Sequence, residues 1–286
     1  MKTNLKTLSL LLAVTLMLLQ SCKKDEPLTT ASSDPLNNLE FKSQESHVYY
    51  GPSVSIGQGR MRAWVKVNKQ GAPTAVGVNL SESALDNLPA EPSAYVLLFP
   101  VNKGRNFYKH MLVDWNPHGH EPPGVYDVPH FDFHFYTIPN RERLLIGPFD
   151  TIQFANSPAP TFVPPLYLHT AGGVPQMGAH WVDLLSPEFN GGSFTKTFIW
   201  GSYDGKFIFW EPMITREYLL SHPNDLVPLR QPEAYQRNGW YANAYKVSYN
   251  GNHDDKGNDD GDNGGENHRG YTVALMNLTY HQGYQY

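Results

Sequence analysis

Residues 130–136 read His-Phe-Asp-Phe-His-Phe-Tyr, a strict two-residue alternation. Successive side chains of an extended strand point to opposite faces. His130, Asp132, His134 and Tyr136 therefore share one face, and Phe131, Phe133 and Phe135 share the other. No helix can sort these residues that way, so this stretch is a strand whose aromatic face enters a core. The chain also holds 23 prolines and 24 glycines, with 13% aromatic residues. Punctuation that dense leaves little room for long helices and suits short strands joined by turns.

Further strands follow from alternation or apolar runs: Met61–Val67, Thr74–Leu80, Ala94–Val101, Phe107–Trp115 and Thr195–Tyr203. Lys206–Trp210 comes next, ahead of Glu211-Pro212, which ends the strand. Asp204-Gly205 suits a tight type I′ hairpin, whose positive φ angles those residues tolerate. Trp240–Tyr249 and Tyr271–His281 form a closing antiparallel pair. Short helical turns are expected after Ser81, after Asn140 and after Thr215, the last two as caps. The fold class is mainly β, a single antiparallel barrel or sandwich-like domain with a few short helices.

Lys2 and Lys6 precede the apolar run Leu8–Leu19, and the chain's single cysteine, Cys22, follows. A positive start, a short apolar run and small residues before a cleavage point describe a secretory signal peptide over residues 1–21. The run is shorter than the ~20 residues a membrane span needs. It resembles the signal of bacterial lipoproteins, which implies acylation of Cys22 and anchorage to a membrane without spanning it. Residues 22–44 are polar and poor in bulky apolar groups, as in a flexible tether. Residues 45–286 form the β-rich domain, and the Asp-, Gly- and Asn-rich stretch 250–270 is expected to be a disordered loop. That stretch lacks the alternate acidic ligands and distal glutamate of an EF-hand. The expected location is the cell envelope, periplasmic or surface-exposed. A net charge of −5 with no basic patch argues against a nucleic-acid partner. With Cys22 spent on lipid, no thiolate is left for a metal or a reaction.

Five of the twelve histidines, His110, His118, His120, His130 and His134, fall within 25 residues, among Asp114, Glu121, Asp127 and Asp132. Imidazole with carboxylate is a ligand set for zinc, iron, manganese or copper. Neighbours two apart on one strand face lie roughly 6.6 Å apart along the chain, so His130 with Asp132, or Asp132 with His134, can lean toward one ion. His130 and His134 are roughly 13 Å apart and need a bulge to converge. The loop His118-Gly119-His120-Glu121 and the segment around His180 add donors from elsewhere in the chain.

Gly119-His120-Glu121-Pro122-Pro123-Gly124, Pro129–Tyr136 and Met177-Gly178-Ala179-His180-Trp181 together resemble an uncharacterised family of bacterial secreted proteins and lipoproteins. Gly201–Lys206 and Glu211-Pro212-Met213 are similar to later blocks of it, so the likeness spans most of residues 45–280. It implies that His120, His130, His134 and His180 act together. A weaker likeness to cupins fails on spacing, because Glu121 follows His120 directly.

The expected site is thus a transition-metal centre with His120, His130, His134 and His180 as ligands and Asp132 as a further one. Glu121 and Glu211 are the general-base candidates if the centre is catalytic; whether it is an enzyme stays open. No Gly-x-Ser-x-Gly elbow supports serine chemistry. The alternative is a non-catalytic envelope module binding a sugar, lipid or protein through its aromatic surface, with the histidines as a structural hydrogen-bonded network.

Overall fold

The computed structural model describes residues 46–101, 107–251 and 269–284. The signal segment 1–21, Cys22, the tether 22–44 and the acidic residues 252–268 lie outside them. The described residues all belong to one compact unit, Gln44–Tyr286. Among them no helix is long and apolar enough to cross a membrane.

Three antiparallel sheets make up the fold. The first takes β1 (His47–Ile56), β2 (Gly59–Val67), β3 (Pro73–Ser81), β14 (Gly270–Met276), β13 (Ala244–Asn250) and β11 (Asn224–Pro228), in that spatial order. The second takes β4 (Ser93–Leu98), β5 (His110–Asn116), β6 (His130–Tyr136), β10 (Lys206–Thr215), β9 (Lys196–Tyr203), β8 (Ala179–Asp183) and β7 (Tyr167–His169). β12 (Gly239–Tyr241) and β15 (Thr279–His281) form a small third sheet. Neither large sheet closes on itself, so the fold is sandwich-like and not a barrel.

One hydrophobic cluster joins the two large sheets. Val65, Val78, Val273 and Leu275 of the first meet Val113, Phe131, Phe133, Phe135 and Trp210 of the second. All three phenylalanines of β6 are fully buried. Burying such a ring is worth about 1.5–3 kcal/mol, so β6 is the anchor of the sandwich. Its other face is covered too. Ile146 and Phe154 pack beside Tyr136 and Phe209 at one end, and Tyr126 and Phe194 beside Met213 and Ile199 at the other. The polar row of β6 lies between these two apolar clusters.

Local chemistry explains most element ends. Asp204 and Gly205 have φ of 47° and 73°, as a type I′ hairpin between β9 and β10 requires. Thr215 caps α3 (Arg216–Leu220), its Oγ1 accepting from the Tyr218 N–H at 3.1 Å. Asn140 is not a cap. Pro139 takes that place before α1 (Asn140–Arg143), and the Asn140 side chain accepts from Arg143 Nε at 2.9 Å. β10 does not stop at Glu211-Pro212 but runs on to Thr215. The ladder to β6 skips Glu211 and Pro212, so the missing proline N–H removes no rung there. β1, β7, β8, β11 and α2 (Thr151–Ala155) were not expected from sequence. β1 contains Gly51-Pro52, which sits at a register shift between Tyr50 and Ser53 on an edge strand, where a bulge tolerates proline.

Candidate metal centre

Strand register assembles the site. β5 and β6 pair without a break, setting Asn116 opposite His130, Asp114 opposite Asp132, Leu112 opposite His134 and His110 opposite Tyr136. On the other side of β6, Met213 pairs with Asp132 and Phe209 with Tyr136, which leaves Glu211 beside His134. His180 enters from β8, paired with Gly201 of β9. A Cβ on Gly201 would lie 1.9 Å from Phe209 Cζ. The glycine therefore lets the Phe209 ring lie across the sheet, with centroids 5.1 Å from His134 and 5.3 Å from His180.

Two groups of donors result. In the first, His120 Nε2 lies 3.3 Å from Asp132 Oδ2, and His130 Nε2 lies 3.2 Å from Asp132 Oδ1. The three offer one ligand atom each, all within 4.8 Å of one another. His120 Nδ1 is 2.7 Å from the Glu121 carbonyl, and His130 Nδ1 is 2.7 Å from the Val128 carbonyl. A carbonyl only accepts, so both Nδ1 atoms carry the proton. The Nε2 atom of each ring then faces the Asp132 carboxylate. Asn116 Nδ2 donates to Asp132 Oδ2 at 2.7 Å and fixes its plane. This is the outer-shell pattern that orients imidazole and carboxylate ligands. Donors around a tetrahedral zinc-like ion lie about 3.3–3.6 Å apart, close to both contacts.

In the second group, His134 Nε2 lies 3.3 Å from Glu211 Oε1 and His180 Nε2 lies 3.6 Å from Glu211 Oε2. These three also offer ligand atoms within 4.8 Å of one another. The far side of the His134 ring, Nδ1, is 3.3 Å from Asp114 Oδ2. Asp114 thus stands between the groups, facing Asp132 across the ladder and touching His134.

Burial sharpens the electrostatics. Burial and the neighbouring Asp132 push the Asp114 carboxyl up to about 7. Burial, with Asp132 and Asp114 beside it, also holds Glu211 well above the usual carboxylate range. Burial lowers His134 to about 3 and His180 to about 4. Asp132 goes the other way: burial raises it, but the close approach and attraction of His120 and His130 outweigh that and leave it low. Burial lowers His120, yet its contacts with Asp132 raise it on balance. Six buried polar atoms here, on Asp114, His130, Asp132, His134 and Glu211, meet only imidazole–carboxylate contacts of 3.2–3.6 Å and no hydrogen bond of good geometry. Buried polar atoms are seldom left so. A cation in each triad would engage those on His130, Asp132 and Glu211 and the Nε2 of His134.

All the expected ligands lie on this outer face, but not around one point. His120, His130 and Asp132 form one triad, and His134 and His180 form another with Glu211. The unbroken register of β6 is the reason, since without a bulge a two-residue step keeps Asp132 and His134 roughly 6.6 Å apart along the strand. Of the two pairs open from spacing, His130 meets Asp132 while His134 turns to Glu211. Glu211 is a triad member rather than a free base at a strand end. Glu121 is exposed at the rim, and its carboxylate belongs to neither triad. His118 is exposed and His110 is buried against Tyr136, outside both groups. Sequence reading set Asp114 among the clustered carboxylates without giving it a role, and missed Asn116. Their signal was present: in β5 they share the parity of His110 and Leu112, the register partners of the polar row.

Both triads open on one cavity of about 680 Å³, lined by Asp114, His120, Asp132, His180 and Glu211 among apolar neighbours. A model of a family described as TTHB210-like, after the hypothetical protein TTHB210, matches residues 68–115, which run from the end of β2 to β5 and include Asp114 but neither triad. No curated protein and no solved structure matches the chain.

Proposed function

We propose that this chain is a cell-envelope lipoprotein, anchored through Cys22, whose outer sheet face binds divalent transition metal. His120, His130 and Asp132 hold one ion, and His134, His180 and Glu211 provide an adjoining position. Zinc, iron, manganese and copper are the ions such donors suit. The observation that carries the reading is the pair of imidazoles whose Nδ1 atoms are committed to backbone carbonyls, leaving two Nε2 atoms aimed at Asp132. Lone pairs facing a carboxylate repel unless a proton or a metal lies between them.

Each triad leaves coordination positions to the cavity, as catalytic metal sites do and closed structural sites do not. A divalent ion there supplies Lewis-acid chemistry. The residues around it would orient a substrate in the cavity, with the Glu121 carboxylate at the rim as the available proton acceptor.

The competing reading is a hydrogen-bonded network with imidazolium in place of metal. It draws on the raised His120, which Asp132 holds toward its protonated form. Elemental analysis of the full chain purified without chelator separates the two. The metal reading expects one to two equivalents of transition metal, with the first triad's equivalent lost on His130→Gln and all of it retained on His118→Ala. Background metal in a folded protein would sink it.

A further inference from the structure

The cavity above the triads is lined by four carboxylates, Asp114, Glu121, Asp132 and Glu211, and, among the described residues, by no lysine or arginine. Its remaining walls are largely apolar, with Val174, Met177, Val182, Ile199 and Met213 among them. Sites that take phosphorylated substrates surround them with arginine, lysine or metal charge. Even two divalent ions would do no more than balance the four carboxylates, which leaves no surplus positive charge for an anion. At about 680 Å³ the cavity falls within the roughly 300–1,000 Å³ of pockets that hold small organic ligands.

We propose that the cavity takes an uncharged, largely apolar small molecule and turns away phosphorylated and carboxylated compounds. This rests on the metal reading only in placing that molecule beside the ion. Apolar walls bury the ligand's surface, while the floor of imidazole and carboxylate meets its one polar end. An anion would shed its water here with no lysine or arginine among the described lining residues to receive it.

Two fluorescent probes with the same ring skeleton test this on the full chain, with and without bound metal. N-phenyl-1-naphthylamine is uncharged, and 8-anilino-1-naphthalenesulfonate adds a sulfonate. The uncharged probe is expected to bind at least tenfold more tightly. Val174→Trp and, separately, Ala94→Trp change exposed wall residues and should each weaken its binding at least tenfold. Equal or tighter binding of the sulfonate, or indifference of the uncharged probe to both wall variants, overturns the proposal. Metal content of the same samples is read independently. Selective probe binding with background metal refutes the metal reading and keeps the ligand class, and the converse refutes the ligand class alone.

Discussion

Asp114 and Asp132 stand directly opposite one another on β5 and β6, both largely buried, with Asp132 held low by two imidazoles and Asp114 pushed up to about 7. Like charges so placed destabilise a sheet. The metal-free fold tolerates the pair by letting Asp114 keep its proton.

Asp114→Asn should therefore act with opposite sign on the two forms. The folded pKa of Asp114 lies above the unfolded value, so the unfolded chain releases this proton first. Its contribution is fullest below about 4 and is lost as pH rises toward about 7. Without metal, the variant should melt higher than the parent at pH 8 and the same at pH 4. With metal, it should bind more weakly, because His134 loses its neighbouring carboxylate. Melting curves at both pH values, with and without chelator, check both halves.

Asp132→Asn removes the anionic ligand of the first triad while keeping a planar group for Asn116 to approach. One equivalent of metal should disappear. A ligand at 100 times its dissociation constant stabilises by about 2.7 kcal/mol. Chelator should thus lower the melting temperature of the parent by several degrees more than that of the variant. Equal chelator shifts would remove Asp132 from the ligand set.

His110 lies outside both triads, stacked on Tyr136 with ring centroids 4.9 Å apart. Burial, then Arg143, lowers it to about 4. The unfolded chain takes up this proton near pH 6.5 and the fold does not, so stability is full above that value and falls toward pH 4. Denaturant titrations across the window should show a steep acid limb, and His110→Gln should make it shallower. An unchanged limb would mean other histidines, His134 and His180 among them, account for it.

Gly201→Ala tests how the second triad is positioned. The added methyl would press on the Phe209 ring that packs against both His134 and His180. Overpacking of this kind costs about 1–3 kcal/mol. The second equivalent of metal should bind more weakly while the first is unaffected, which competitive titration with a coloured chelator would resolve. Equal weakening of both would point to a general loss of packing.

Phe131, Phe133 and Phe135 were assigned to a core, and His130, Asp132 and His134 to one face, by a two-residue period that belongs to the chain itself. The turn at Asp204-Gly205 and the cap at Thr215 were legible in the same way, since each depends on residues a few positions apart. Division of the histidines into two triads was not. Spacing along β6 already said that His130 and His134 do not converge without a bulge, but partners lie on β5, β8, β10 and a loop. Which of them stands beside which is a matter of register between strands far apart in the chain. Only the assembled sheet places Asp114 against Asp132, brings Glu211 of β10 to His134, and leaves Gly201 free of a side chain so that a ring can pass. Alternation is a property of one strand, whereas a ligand set is a property of several, and nothing local to any one of them encodes it.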